Sequence, residues 1–286
     1  MQPKQDHKST IKIKVSDLTH YMICPRLVYF RARGYEQPRI AEGRERSAIE
    51  HILLKELGFN LHKVSGGDRY DEGGGEEKTT EEEVVKQVIE DVVDSVEWIY
   101  KDELKTVDKD LFDAVKNDFL HSIESPEWLS KLKTEDELAE LERSYSYERE
   151  HTMLSEKLSM VGSVDKLIKT EAEVIPCMIK TGRCPEYGVW RSDRMQLAAY
   201  AMLIEDEFGT TVQRGFVEYI NMRTADIRES HIKKRDRALA FQILKYVKKI
   251  KGGVYPEKGV NAPCDSCSFI EMCDTRKTLL SKLFGK

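Results

Sequence analysis

The sequence predicts an α/β (α+β) fold, a mixed sheet flanked by helices and interrupted by a helical insertion. Three observations predict it. Residues 143–182 hold three strand-like stretches, and the last, Glu173-Val-Ile-Pro-Cys-Met-Ile-Lys-Thr-Gly182, is a β-branched apolar run ended by glycine. A helical stretch over 192–207 separates that run from a hairpin at 211–222 and 225–232. Residues 82–143 carry helical periodicity, which sets them apart as an insertion.

Taken in order, Ile11-Lys-Ile-Lys-Val15 alternates and reads as a short strand. Ser16 or Asp17 then caps a helix leading into Tyr21-Met-Ile-Cys-Pro-Arg26 and on to Tyr29. Residues 43–58 form the next helix, with Ile49, Ile52, Leu53 and Leu57 as its apolar stripe. His51 lies beside the stripe, aligned with Ser47 and Lys55. Residues 66–83, acid-rich and holding Gly73-Gly-Gly75, read as a flexible loop. Amphipathic helices follow over 82–98, 108–123 and 135–143. They either cover a site or pack as a lobe.

Strands are expected at 143–153 and 158–169, paired with each other, and the run at 173–182 is the third. Asp165 is the only acid in the segment 161–168. Side chains alternate along a strand, so Met178 and Lys180 face one way and Cys177 and Ile179 the other. On the helix that follows, Gln196 and Tyr200 are four apart and share a face. A basic helix over 236–250 closes the pattern.

A chain of 286 residues is long enough to bury a full core. No apolar run approaches the roughly 20 residues that span a bilayer. The polar, lysine-bearing start carries no signal-peptide pattern, so a cytoplasmic, thiol-reducing location is expected. Six cysteines there point to metal ligation rather than disulfides. The net charge of −5 does not by itself announce a nucleic-acid binder. Local balance differs, with sixteen acids to six bases over 66–110 and ten bases to three acids over 228–258. Phosphate contact would come from the second stretch, which a solvated helix face explains equally well.

Pro263-Cys-Asp-Ser-Cys-Ser-Phe-Ile-Glu-Met-Cys273 places three soft ligands, Cys264, Cys267 and Cys273, in one loop. Cys24 supplies a fourth if the two ends of the chain meet. Thiolates select zinc or iron–sulfur clusters, and spacing does not choose between them. Cys177 reads as core, and Cys184 has no evident partner.

Together these residues resemble the RecB-type branch of the PD-(D/E)xK nucleases and, within it, the CRISPR-associated Cas-four family, whose members degrade DNA or trim it for spacer acquisition. That family carries a helical histidine, a Gly-x-x-Asp strand, a Glu-x-Lys strand followed by Thr-Gly, Gln-x-x-x-Tyr on a helix, and four cysteines. Matching positions are His51, Gly162 to Asp165, Lys180 to Gly182, Gln196 with Tyr200, and Cys24, Cys264, Cys267 and Cys273, in the right order from about residue 11 to 275. Tyr-x-x-Cys-Pro-Arg-x-x-Tyr around Cys24 matches as well. Met178 departs, standing where the family has its metal-binding acid.

The resemblance implies one restriction-endonuclease-like nuclease domain over 1–286. Within it lie the acidic loop and helical insertion at 66–143, a catalytic core at 143–252, and a cysteine module at 260–276 joined by Cys24. It implies a [4Fe–4S] cluster on the four cysteines. It also implies Mg²⁺ or Mn²⁺ held by Asp165, His51 and an acid at position 178. In that scheme Lys180 orients the nucleophile or stabilises charge, while Gln196 and Tyr200 position the strand and the lysine. The implied substrate is DNA with single-stranded or frayed ends, for which Arg26 and, from the basic stretch, Lys248, Lys249 and Lys251 are the candidate contacts, and the implied partners are CRISPR integrase subunits. A neutral thioether is a poor ligand for a hard cation, so Met178 predicts weak metal affinity and low activity unless another acid swings in. Three readings stay open: a Cas-four-type exonuclease, a non-catalytic DNA-binding subunit of an adaptation complex, and a stand-alone repair nuclease.

Overall fold

The structure, a computed structural model, describes residues 12–35, 43–64, 81–125, 128, 137–145 and 147–275. Strand β1 (Ile13–Lys14) leads into helices α1 (Val15–Ile23), α2 (Pro25–Arg31) and α3 (Glu45–Val64). The insertion follows as α4 (Glu81–Ile99), α5 (Lys101–Leu104), α6 (Lys109–Ile123) and α7 (Glu137–Ser144). Next come β2 (Tyr147–Ser155), β3 (Met160–Lys169), β4 (Val174–Lys180), α8 (Arg191–Phe208), β5 (Arg214–Asn221), β6 (Thr224–His231) and α9 (Lys234–Lys251). A short turn at Cys264–Ser266 and α10 (Ile270–Thr275) end the described chain.

The six strands form one mixed sheet in the order β1-β3-β4-β5-β6, with β2 also on β3. β3 and β4 are antiparallel, β4 and β5 parallel. Along one side β3 is paired by β2 over most of its length. Its other side is shared. β4 pairs with residues 166–169 and β1 with Met160 and Val161. Residues 162–165 are left between them, unpaired on that side, and this gap is where the candidate site opens.

Each face of the sheet is covered. One carries α1, α2, α8 and α9 over a core including Val164, Met178, Leu197, Tyr200, Val217 and Val247. The other carries α3, α4 and α6 over Ile179 and Ile220. Helix α3 runs past Gly58, six residues beyond its expected end. A Cβ there would lie 2.8 Å from Ile220 Cδ1 and 2.9 Å from Ile179 Cγ2, so this glycine is what lets helix and sheet close together. A third, charged cluster ties α7 down. Lys166, wholly buried, sits 2.7 Å from Glu142 Oε1 and 2.8 Å from Glu218 Oε1, and Cys177 Sγ donates to Glu218 at 3.0 Å.

Several expectations are corrected. The first strand is two residues long, because Asp17 Oδ2 accepts the Lys14 N–H at 2.9 Å and starts α1 at Val15. Asp17 thus acts from the third helical position, not as the cap itself. β2 begins at Tyr147, not 143, since α7 continues to Ser144. Residues 66–80 of the expected acidic loop lie outside the described residues, and 81–83 open α4.

Candidate active site

Beyond the Lys166–Cys177 pair, β4 separates from β3. The Asp165 carboxylate fills the opening, with Oδ2 accepting the Ile179 N–H at 2.9 Å. Its Oδ1 lies 3.3 Å from Lys55 Nζ, which also donates to Glu150 Oε1 at 2.9 Å. Burial alone would lower the Lys55 pKa, but Asp165 and Glu150 more than offset it and raise it. One helical turn earlier, His51 Nδ1 lies 2.6 Å from Thr181 Oγ1. Burial, then Lys55, push the His51 pKa down, so the ring is neutral at pH 7.

Lys180 emerges at the end of β4 on the side of α8. Its Nζ donates to Gln196 Oε1 at 2.7 Å, Gln196 Nε2 donates to Tyr200 Oη at 3.3 Å, and Tyr200 donates to the Ser163 carbonyl at 2.7 Å. This chain of bonds fixes the lysine to the open edge of β3. Gly162 permits it, since a Cβ there would meet Val15 Cγ2 at 2.5 Å and Tyr200 Cε1 at 3.0 Å. Burial pushes the Tyr200 pKa up to about 12, so it stays a donor. Asp193, three residues before Gln196, lies 3.8 Å from Lys180 Nζ through Oδ1 and accepts from Tyr219 at 2.7 Å through Oδ2.

Met178 is 0% exposed, packed in the apolar cluster with Leu197, Tyr200 and Val217. The place of an acid is therefore dry core. Both Asp165 oxygens are engaged, and among the described residues no three ligand atoms at this site lie within 4.8 Å of one another. A divalent cation does not fit the arrangement as it stands. Among the described residues the one group of that kind, Glu142, Cys177 and Glu218, surrounds the Lys166 ammonium instead.

The cysteines behave otherwise. Cys24, Cys264, Cys267 and Cys273 line one cavity of about 430 Å³, together with Arg26, Arg44 and Lys258. Gly259 N–H points at Cys24 Sγ (3.5 Å), and Phe30 stacks on Phe269 at 5.4 Å, so the two ends of the fold do meet. Tetrahedral zinc, with Zn–S near 2.3 Å, needs sulfurs about 3.8 Å apart. No three of these sulfurs lie within 4.8 Å of one another, so the four do not stand at the spacing of a tetrahedral zinc site. Three cationic side chains thus line the same cavity as the four cysteines. Cys184 does not line that cavity, and its Sγ lies 3.9 Å from Arg228 Nη2.

Two candidate DNA contacts are redirected. Arg26 donates to Cys273 Sγ at 2.9 Å and to the Pro256 carbonyl at 3.2 Å, serving the cysteine cavity. Lys251 pairs with Asp17 at 2.8 Å. Lys248 and Lys249 line a groove with Gln242, Lys245 and Tyr246, whose ring stacks on Tyr21 at 5.9 Å. The structure adds Lys55, Glu150, Thr181 and Asp193 to the site. Neither Lys55 nor Asp193 is read as a site residue from the sequence, although helical spacing could have found them, one turn after His51 and one turn before Gln196; nothing local marks Glu150.

Among the described residues no helix is long and apolar enough to cross a membrane. A protein of Archaeoglobus fulgidus, itself uncharacterized, is 25% identical over 272 residues, covering 94% of this chain and 99% of that one. A CRISPR-associated exonuclease Cas4/endonuclease Cas1 fusion of Leptospira interrogans is 30% identical over 138 residues, 43% of this chain and only 24% of that protein. A crystal structure from Eubacterium rectale, provisionally assigned as an exonuclease, aligns over 100% of this chain and 98% of its own with a TM-score of 0.48 and 13% identity. The model of the PD-(D/E)XK nuclease superfamily, whose members use divalent metals, matches residues 13–274, a span that holds the sheet, both helical layers and all four cysteines. The chain belongs to the PD-(D/E)XK nuclease superfamily.

Proposed function

We propose that this chain is a Cas-four-type protein, one nuclease domain with a helical insertion, that holds single-stranded or frayed DNA ends and whose metal-dependent exonuclease activity is strongly impaired. One observation carries the reading. Met178 is sealed in the core where the family has an acid, while Lys180, Gln196, Tyr200 and the Ser163 carbonyl stand in an unbroken hydrogen-bonded chain. What persists is the half of the site that positions a strand. Lys248 and Lys249 supply further phosphate contact, and Cys24, Cys264, Cys267 and Cys273 hold a [4Fe–4S] cluster that clasps the chain ends. The name of the Leptospira relative supports a CRISPR integrase as partner, and the cytoplasm is the location that reading requires.

Glu150 favours a second reading. Its carboxylate and that of Asp165 meet at one point, now held by Lys55. If the lysine withdrew, the two acids with His51 would offer Mg²⁺ or Mn²⁺ a ligand set, and the chain would be a working exonuclease.

Binding and digestion of end-labelled oligonucleotides separate these readings. The chain should bind single strands in EDTA and leave them intact in Mg²⁺ or Mn²⁺. Each phosphate contact on a single strand adds about 0.7 to the salt slope, so Lys248→Gln with Lys249→Gln should reduce it by about 1.4. Brisk Mn²⁺-dependent cleavage that Asp165→Asn abolishes would replace the first reading by the second. No binding at low salt would refute both.

A further inference from the structure

Glu150 is a strand residue whose backbone lies in the left-handed region, φ +52°, a conformation strained for any residue with a side chain. Contacts of both its backbone and its side chain hold it there. Its carbonyl accepts from Ser163 Oγ at 2.8 Å, and its carboxylate meets the Lys55 ammonium at 2.9 Å. Across the ammonium stands Asp165 Oδ1 at 3.3 Å. One positive charge thus sits between two carboxylates brought from β2 and β3, in the gap where β4 has left β3. The lysine comes from α3, one turn after His51, and His51 is tied to Thr181, the neighbour of Lys180.

A superfamily site sets a doubly charged cation against its acids. Here position 178 contributes no acid, and the cation against Asp165 carries one charge instead of two. Counted over Asp165 and position 178, one acid fewer goes with one unit of positive charge fewer, while Glu150 adds a second carboxylate to the same ammonium. Met178 and Lys55 thus change the site in the same sense, each removing a reason for a divalent ion to be there. The lost acid has no ion to hold, because the ion's seat is filled from within the chain.

We propose that Lys55 is the resident cation of this site. Its ammonium stands between Asp165 and Glu150 in place of a divalent ion and makes phosphate binding beside Lys55 and Lys180 independent of added metal. The inference takes from the DNA-end reading only that this pocket is the functional one.

The test is Mn²⁺ uptake by the full-length chain, read from the electron-paramagnetic signal of free Mn²⁺, alongside single-strand binding with and without EDTA. Wild type should show no Mn²⁺ uptake that depends on Asp165, and EDTA should leave its DNA affinity unchanged. Lys55→Met keeps the stem and removes the charge. It should bind Mn²⁺ at least about tenfold tighter, because one unit charge at ~4 Å near a protein surface outweighs a tenfold change in affinity. Adding Asp165→Asn should erase that gain. Lys55→Gln should follow Lys55→Met, and Lys55→Arg should follow wild type, so one poorly folding variant does not decide the matter. Asp165-dependent uptake by wild type as tight as that of Lys55→Met would overturn the proposal, as would no gain in either neutral variant. Mn²⁺ uptake is measured without DNA, so a chain that binds no DNA refutes the DNA-end reading alone.

Discussion

Replacing Met178 by Glu puts a carboxylate into a fully buried apolar site. Burying a methionine contributes about 1.5–3 kcal/mol, and an uncompensated buried ion costs several more. We take the loss in EDTA as about 4 kcal/mol. With an unfolding entropy of about 2.1 cal/mol/K per residue, roughly 0.6 kcal/mol/K for this chain, the melting temperature should fall by about 7 °C. Position 178 follows Cys177, the partner of Lys166, so the new carboxylate lies beside Asp165. Given a cation, it has a use. At about 100 times its Kd, Mn²⁺ should return roughly 2.7 kcal/mol, or about 4–5 °C. Met178→Gln should recover nothing, since it offers oxygen without charge. Thermal melts with EDTA or Mn²⁺ read the stability, and end-labelled DNA reads activity, which should rise in Met178→Glu with Mg²⁺ and vanish when Lys180→Ala is added. A Met178→Glu protein that melts with wild type in EDTA would refute the placement of this side chain. Wild type that already cleaves well, with no gain from Met178→Glu, would show that another acid completes the site.

Three further outcomes follow from the charged interior and the cysteines. Lys166→Met leaves Glu142 and Glu218 buried without their cation and should cost about 3–5 kcal/mol in urea unfolding; a loss below 1 kcal/mol would mean that those acids protonate freely. His62 is held down to about 4, by burial first and then by Lys166, Lys63 and Arg143, against an unfolded value of 6.5. The unfolded chain binds that proton first, so this stability is whole above pH 6.5 and is lost as pH falls toward about 4, with His20 and His51 adding in the same sense. His62→Gln should narrow the gap between denaturation midpoints at about pH 7 and pH 5, and an unchanged gap would count against it. Purified without oxygen, the protein should be brown with about four irons, and Cys264→Ala should lose both iron and stability; stoichiometric zinc in a colourless protein would refute the cluster.

What was legible in the sequence is what local spacing determines. The alternation over 158–169 and 173–182 gives β3 and β4, and the four-residue interval of Gln196 and Tyr200 gives one face of α8. Cys177 turning away from Lys180 follows from the same alternation, and it reaches Glu218 on the opposite side of the sheet. The end of α3 was not legible. Gly58 is an ordinary helix stop until Ile179 and Ile220, more than a hundred residues away, are set against it.

Charge pairing was least legible of all. Arg26 and Lys251 read as free cations because Cys273 and Asp17 lie more than two hundred residues from them. Nothing in the local sequence marks Lys166, next to Asp165, as wholly buried between acids from α7 and β5. Electrostatic roles belong to pairs, and the chain order does not say which pairs form. Position 178 shows the consequence. Alone, Met178 is a missing ligand, and it argues only for lost activity. Beside an ammonium standing 3.3 Å from Asp165, it is an acid missing from a seat that already holds a cation. An acid restored at 178 without removing Lys55 should therefore help less than the two changes made together, because the restored acid meets a seat that is already taken.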